Sequence, residues 1–186
     1  MNTRLKILKQ TASAYARLGY EGLNMRLVAK DAGIASSVIY HYFSNKDDLL
    51  EAMFFQTSKE LGKKRAALPP TTSAAQMLSQ RVEFQLDHAE AVVAILKYYL
   101  HFRDHFAKTN QGFVPETAYV HIKEVLEYGK AQGEFIAMDI DAESKVITHA
   151  INGFLLEYYP YTPKDSEKKA LIDSITAFIL RSIGHK

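Results

Sequence analysis

The chain has 186 residues, 47% of them hydrophobic and 24% charged, which is enough apolar material for one large or two small globular domains. It contains no cysteine, excluding a disulfide framework or a thiolate metal site, and its longest unbroken apolar run, AVVAIL at 91–96, is too short to span a bilayer. Net charge is +2, yet residues 1–65 carry eleven Lys/Arg against six Asp/Glu while residues 66–186 carry twelve against fifteen, so a positive field suited to phosphates is confined to the N-terminal third.

In chain order, MNTRLKILKQ has alternating charge and no apolar segment, so neither secretion nor membrane insertion is expected and a cytoplasmic location is. Apolar residues then recur at helical spacing (Ile7, Leu8, Ala14, Tyr15, Leu18) until Gly19 ends a first helix. Asn24 is a suitable N-cap for a short second helix that turns Leu27, Val28 and Ala29 inward, and Gly33 supplies the positive φ needed to leave it. A third short helix is expected from about Ala35 to Phe43. Ser44 is expected to cap a fourth, from Lys46 to about Ala67, with Asp47 and Asp48 near the positive end of its dipole and Pro69-Pro70 beyond its end. Further helices are expected at 73–87, 89–108, 115–132, 141–158 and 165–183. No alternating strand pattern or internal repeat is visible, so the fold class is all-α, with about nine helices.

The informative stretch is GIASSVIYHYFSNKDDLL at 33–50. A recognition helix enters the major groove at an angle set by the preceding helix and the tight turn between them. Here Gly33 makes the turn, Ala29 lets the helices approach, and Ile34, Ile39 and Phe43 anchor the pair. That leaves small hydroxyls and phenols on the outer face, where a purely structural helix would carry Lys, Glu and Leu.

Residues 7 to 50 resemble the DNA-binding region of the tetracycline-repressor (TetR) family of bacterial regulators: Ile7-Leu8, Tyr15, Gly19-Tyr20, Val28-Ala29, Ala32-Gly33-Ile34, Ile39-Tyr40, Tyr42-Phe43, Lys46 and Leu49-Leu50. The resemblance implies a three-helix helix-turn-helix DNA-binding domain at 1–46, joined by a long helix to a ligand-binding and dimerisation domain at 47–186. It also implies roles. Tyr40 and Lys46 match phosphate-clamping positions, Tyr42 falls at a phosphate contact, and Ser36, Ser37 and Val38 face the groove. Asn24, Met25 and Arg26 start the supporting helix, with Arg26 able to present its fork to a guanine. His41 is equally compatible with DNA contact and with packing beneath the fourth helix. One departure is Ala35, where the family usually has a Ser or Thr cap; if Ser36 or Ser37 caps instead, the reading register moves by one residue.

The C-terminal part resembles the family less, through its helix count and Gly133-Glu134-Phe135. Stripes at helical spacing (Val146, His149, Ala150, Gly153 and Phe154; Leu171, Ile175, Phe178, Ile179 and Ser182) suit a four-helix interface between two subunits, and Gly153 within a helix suits close approach of a neighbour. The expected interface residues are His149, Gly153, Leu171, Ile175, Phe178 and Ile179. Aromatic density suggests a small-molecule pocket, with Phe84, Tyr98, Tyr99, Phe102, His121, Tyr128, Phe154 and Tyr158 as candidate lining and an apolar or aromatic effector.

His101 and His105, four apart with Asp104 between them and His121 on the next helix, could reach a metal, but no HExxH pattern or further ligand completes a site, so no metal or cofactor is expected. No nucleophile elbow or glycine-rich phosphate loop points to an enzyme. The expectation is a ligand-responsive regulator, a repressor rather than an activator, binding palindromic operator DNA as a homodimer with no membrane association. The alternatives are a helical ligand-binding or scaffold dimer without DNA binding and, further off, a His-dependent metal protein or enzyme.

Overall fold

The computed structural model describes residues 2–109, 116–160 and 164–184, with the side chains of 105–109, 116–118 and 165 left aside. The described residues form nine helices and no strand: α1 (Thr3–Gly22), α2 (Met25–Asp31), α3 (Ser36–Tyr42), α4 (Lys46–Ala66), α5 (Ala74–Asp87), α6 (Ala89–Thr109), α7 (Glu116–Ala131), α8 (Ile140–Tyr158) and α9 (Asp165–Ser182). They divide into two compact units, one of Met1–Ala67 with Glu90–Lys108, the other of Leu68–Ala89 with Thr109–Lys186.

In the first unit α1 packs on α4 and α2, and α2 on α3. The core is built from one face of each helix: Ile7, Leu8 and Tyr15 from α1, Val28 and Ala29 from α2, Ile39 from α3, and Leu49, Leu50, Met53 and Phe54 from α4, all buried. Phe54 stacks on Tyr98 of α6 at 4.6 Å, and the buried Tyr15 hydroxyl donates to the Lys97 carbonyl at 3.3 Å, so α6 completes this core. The compact unit thus runs well past residue 46 and takes in α4 and most of α6.

Local signals act largely as expected. Gly19 has φ 67° and breaks the helical path of α1, after which the chain makes one more turn to Gly22. Asn24 caps α2 by accepting the Leu27 amide at 2.9 Å. The cap of α4 differs from expectation by one residue. Asn45, not Ser44, accepts the first free amide, from Asp48 at 2.9 Å, and the Asp48 carboxylate reaches back to the Ser44 amide at 2.8 Å. An Asn side chain can cap as well as Ser, and a carboxylate three residues on satisfies a second orphan donor. Lys63, Lys64 and Arg65 in the last turn of α4 complement its dipole.

In the second unit α5 packs on α7, α9 and α8, and α7 on α8. Leu78 and Val82 from α5, Val125 and Leu126 from α7, Ile147, Ile151 and Leu155 from α8, and Ile172 and Ile179 from α9 are buried. Gly133, at φ 72°, closes α7: its amide bonds the Lys130 carbonyl, and the Glu134 amide the Gly129 carbonyl at 2.9 Å. Gly153 has nothing within 4 Å of where a Cβ would stand, so no neighbour within the protomer requires a glycine there.

Candidate nucleic-acid interface

Two nested hydrogen bonds fix the angle between α2 and α3. The Gly33 amide bonds the Lys30 carbonyl and the Ile34 amide reaches the Ala29 carbonyl, both at 3.0 Å, while Gly33 sits at φ 62°. With a Cβ that conformation would be strained. Ala29 is buried beneath the turn, and Ile39 and Phe43 pin α3 from below. α3 therefore has one buried residue, Ile39, and turns the rest outward. Ser36, Ser37 and His41 are exposed, Val38 is half-buried, and Tyr40 and Tyr42 are 53% and 38% exposed. Tyr40, His41 and Tyr42 do not pack beneath α4. His41 and Tyr42 meet edge to face at 5.4 Å. Ala35 remains the N-cap with no side-chain bond, so α3 starts at Ser36 and the register does not shift.

The other expected residues divide. Arg26 is exposed at the start of α2. Asn24 is exposed, but its side-chain oxygen is engaged in capping. Met25 is only 7% exposed, and its side chain anchors the first turn of α2 in the core. The Lys46 ammonium is tied locally, donating to the Tyr20 carbonyl at 2.9 Å and lying 3.6 Å from the centre of the Tyr20 ring. Two basic residues escaped the sequence reading. Arg4 lies over the Phe43 ring at 5.4 Å, and the Lys6 ammonium is 3.7 Å from the Cβ position of Gly33, which brings both cations of the first turns of α1 to the helix-turn-helix. Their charge was visible in the sequence; their placement depends on how α1 crosses the pair.

Residues 7–53 match the family model described as bacterial regulatory proteins, tetR family. Over these residues the chain carries the DNA-binding module of the tetR family. It is 30% identical over 87 residues to the HTH-type transcriptional regulator YhgD of Bacillus subtilis, covering 44% of this chain and 46% of that protein. It is 24% identical over 149 residues to the HTH-type regulator BetI of Vibrio vulnificus, covering 75% of each. The chain spans about half the length of most of the curated relatives it matches. Among solved structures, a tetR-family regulatory protein from Rhodococcus RHA1 superposes with a TM-score of 0.74 at 18% identity, over 100% of this chain and 99% of that one. A tetR-family transcriptional regulator from Rhodococcus sp. superposes with a TM-score of 0.70 at 20% identity, over 96% of this chain and 98% of that one. The whole architecture is therefore a tetR-family fold.

Within that fold the expected pocket residues fall in both units. Tyr98, Tyr99 and Phe102 belong to the first, where Tyr98 is buried between Phe54 and Phe102 and burial, with Glu51 and Asp47 nearby, pushes its phenol up to about 12. In the second, Phe84 is buried and stacks on His88 at 4.4 Å, and Phe154 stacks on Tyr158 at 4.8 Å. The Tyr128 hydroxyl donates to the Thr72 carbonyl, and His121 Nδ1 is 3.4 Å from the Glu124 carboxylate. Of the expected interface residues, His149, Gly153 and Phe178 are exposed and Leu171 and Ile175 half-buried, but Ile179 is 1% exposed and points into its own protomer. The Tyr119 hydroxyl meets His149 Nε2 at 3.1 Å.

The sequence reading also missed a set of buried polar atoms in this second unit. Arg81 Nε and Gln85 Oε1 on α5, Thr148 Oγ1 on α8 and Thr176 Oγ1 on α9 have no hydrogen-bond partner. Burial pulls the Arg81 guanidinium below its ordinary range, partly offset by Glu124. Among the described residues no group of three His, Asp or Glu could hold a metal ion, and the side chain of His105 lies outside them.

Proposed function

We propose that this chain is a transcriptional regulator that binds palindromic operator DNA as a homodimer and is released by a small molecule, acting as a repressor in the cytoplasm and not as an enzyme. The observation that carries the DNA reading is the outward face of α3: small hydroxyls and phenols, no charge to repel the backbone, and Arg4, Lys6, Arg26 and Lys46 on the same small module. Such a face suits close approach to the groove, with the cations meeting phosphates and Ser36, Ser37 and Val38 reading bases weakly enough for DNA shape to contribute. Residues 1–46 supply that contact, while 47–186 handle ligand and partner. Among the described residues no helix is long and apolar enough to cross a membrane.

Dimerisation is supported by Val146 on α8 and Phe178 on α9, 62% and 60% exposed, beside exposed Ala150 and Gly153 and half-buried Ile175. Exposed apolar rows of this kind mark interaction surfaces. Gly153, unexplained within the protomer, suits close approach by the partner's helix.

The ligand reading rests on the C-terminal unit, where Phe84, Phe154 and Tyr158 accompany the unpartnered Arg81, Gln85, Thr148 and Thr176 atoms. Unpaired buried polar atoms are costly, and an apolar or aromatic effector with a few polar groups would satisfy them. Selection of bound duplexes from a random pool tests the central reading. It should enrich a palindrome with half-sites about one helical turn apart; recovery of no sequence and no tight binding at moderate salt would overturn it.

A further inference from the structure

The half-buried Tyr20 side chain is contacted at its hydroxyl, its ring faces and one ring edge. Gly19 turns the chain out of the main run of α1 immediately before it, and its hydroxyl donates to Asp47 Oδ1 at 2.8 Å. The His101 ring of α6 stacks on Tyr20 at 3.8 Å and 16°, and the Lys46 ammonium lies 3.6 Å from the Tyr20 centroid. Two groups that close to one ring centre cannot share a face, so His101 and Lys46 sandwich Tyr20. Phe102 meets the ring edge at 6.0 Å and 79°. All five residues lie in one compact unit.

This arrangement governs what Lys46 can do. A lysine ammonium has three donors on a flexible stem. One is spent on the Tyr20 carbonyl and the ring face attracts the charge, which leaves further N–H capacity at the first residue of α4. The lysine is thus held in place before any phosphate arrives, provided that the Tyr20 ring stays where it is. Asp47 fixes the far end of the ring, and His101 closes the face opposite the ammonium. His101 itself is exposed and reaches the helix-turn-helix through Tyr20.

We propose that His101, more than fifty residues beyond the recognition helix, is a positioning residue for DNA binding: its ring clamps Tyr20 and thereby holds the Lys46 ammonium ready for a backbone phosphate. The inference rests on reading Lys46 as a phosphate contact. It needs the flat face of the imidazole and no charge on it, so a phenylalanine at 101 serves equally well.

The test measures affinity of the full chain for a duplex selected from a random pool, as a function of salt, for wild type, His101→Ala, His101→Gln, His101→Phe, Lys46→Ala and the His101→Ala/Lys46→Ala pair. Lys46→Ala should weaken binding about tenfold at low salt and lower the salt slope by about 1. His101→Ala and His101→Gln should weaken it roughly threefold to tenfold with part of the same loss of slope, His101→Phe should restore both, and the double variant should bind no worse than Lys46→Ala. Wild-type affinity and slope in His101→Ala and His101→Gln, with Lys46→Ala still impaired, would overturn the positioning role and leave the phosphate reading intact. Additive losses with an unchanged slope would also overturn it, as a general structural effect. An unaffected Lys46→Ala would remove the phosphate reading itself, and the inference with it.

Discussion

Glu134, the residue after the Gly133 turn that closes α7, places its carboxylate 3.0 Å from the backbone amide of Ala74, sixty residues earlier in the chain. The same side chain reaches the Ser73 hydroxyl at 3.2 Å, so one carboxylate serves the positive end of α5 and ties it to the end of α7. Glu134→Ala leaves that amide and hydroxyl without their charged acceptor and should cost about 1–3 kcal/mol, read from the midpoint of urea unfolding. Glu134→Gln should recover part of the loss; an alanine variant as stable as wild type would show that water replaces the carboxylate without penalty.

Gly129 lies against the same joint. A Cβ there would fall on the Phe135 ring and stand 2.8 Å from the Ala74 Cβ, and neither neighbour has free space, since Phe135 is 4% exposed and Ala74 fully buried. Gly129→Ala should therefore destabilise the chain by about 1–3 kcal/mol despite the better helix propensity of alanine. Gly153→Ala, with open space at its Cβ, should instead leave an isolated protomer as stable or slightly more so. Denaturation of the two variants in parallel separates packing from propensity; equal behaviour would contradict the account of Gly129.

The uncapped start of α3 gives a stabilising prediction. Ala35 has cap geometry, φ −67° and ψ 146°, but no side chain to accept an amide. Ala35→Ser supplies the acceptor without moving the backbone and should add about 0.5–1 kcal/mol. Asn24→Ala, which removes an existing cap, should cost about 1 kcal/mol. If Ala35→Ser lowers the melting temperature, the extended conformation at Ala35 is serving something other than the helix start.

Much of this architecture was legible because the signals were local. Helical spacing, Gly19, Asn24, Gly33 and Gly133 each act within a few residues, and the helices fall close to where these cues put them. Ser44 lost the cap to Asn45 because either side chain can serve and only the geometry decides. The outward face of α3 could be read because Ile39 and Phe43 had to point the other way. What could not be read was which apolar or polar residue turns in: Met25 and Ile179 follow the same periodicity as their exposed neighbours, and Arg81 looks like an ordinary surface arginine until helices close over it. The joining of Tyr20, Lys46 and His101 needs three helices to converge, and no sequence spacing encodes that.

Three phenols with raised ionisation should weaken the fold at alkaline pH. Tyr15 is raised by burial above all, Tyr98 by burial to about 12, and Tyr20 by its bond to Asp47. Each folded value lies above the unfolded one, near 10, so the contribution is fully present below pH 10 and is lost as pH climbs through the folded values. Melting temperature should hardly respond to these groups below pH 9 and should fall between pH 10 and 12. Absorbance titration of the phenolates should show part of the eleven tyrosines ionising late, together with unfolding; a single step near 10 for all of them would refute this.

The proposed dimer face can be broken without touching the core. Val146 and Phe178 are among the most exposed large apolar side chains of the chain, on α8 and α9, and each sits one position from a buried isoleucine, Ile147 and Ile179, that holds its helix in place. Val146→Glu/Phe178→Glu therefore leaves intramolecular packing intact and should change protomer stability by no more than about 0.5 kcal/mol per site. If these side chains meet a second subunit, four buried carboxylates per dimer cannot all be solvated or paired, and sedimentation should show a monomer. DNA binding should fall with it, by roughly a hundredfold or more, because a lone recognition helix lacks the second half-site. Circular dichroism must show the helices retained. A double variant that still sediments as a dimer would place the subunit contact elsewhere, and a monomer that bound the operator as tightly as wild type would remove the need for paired recognition helices.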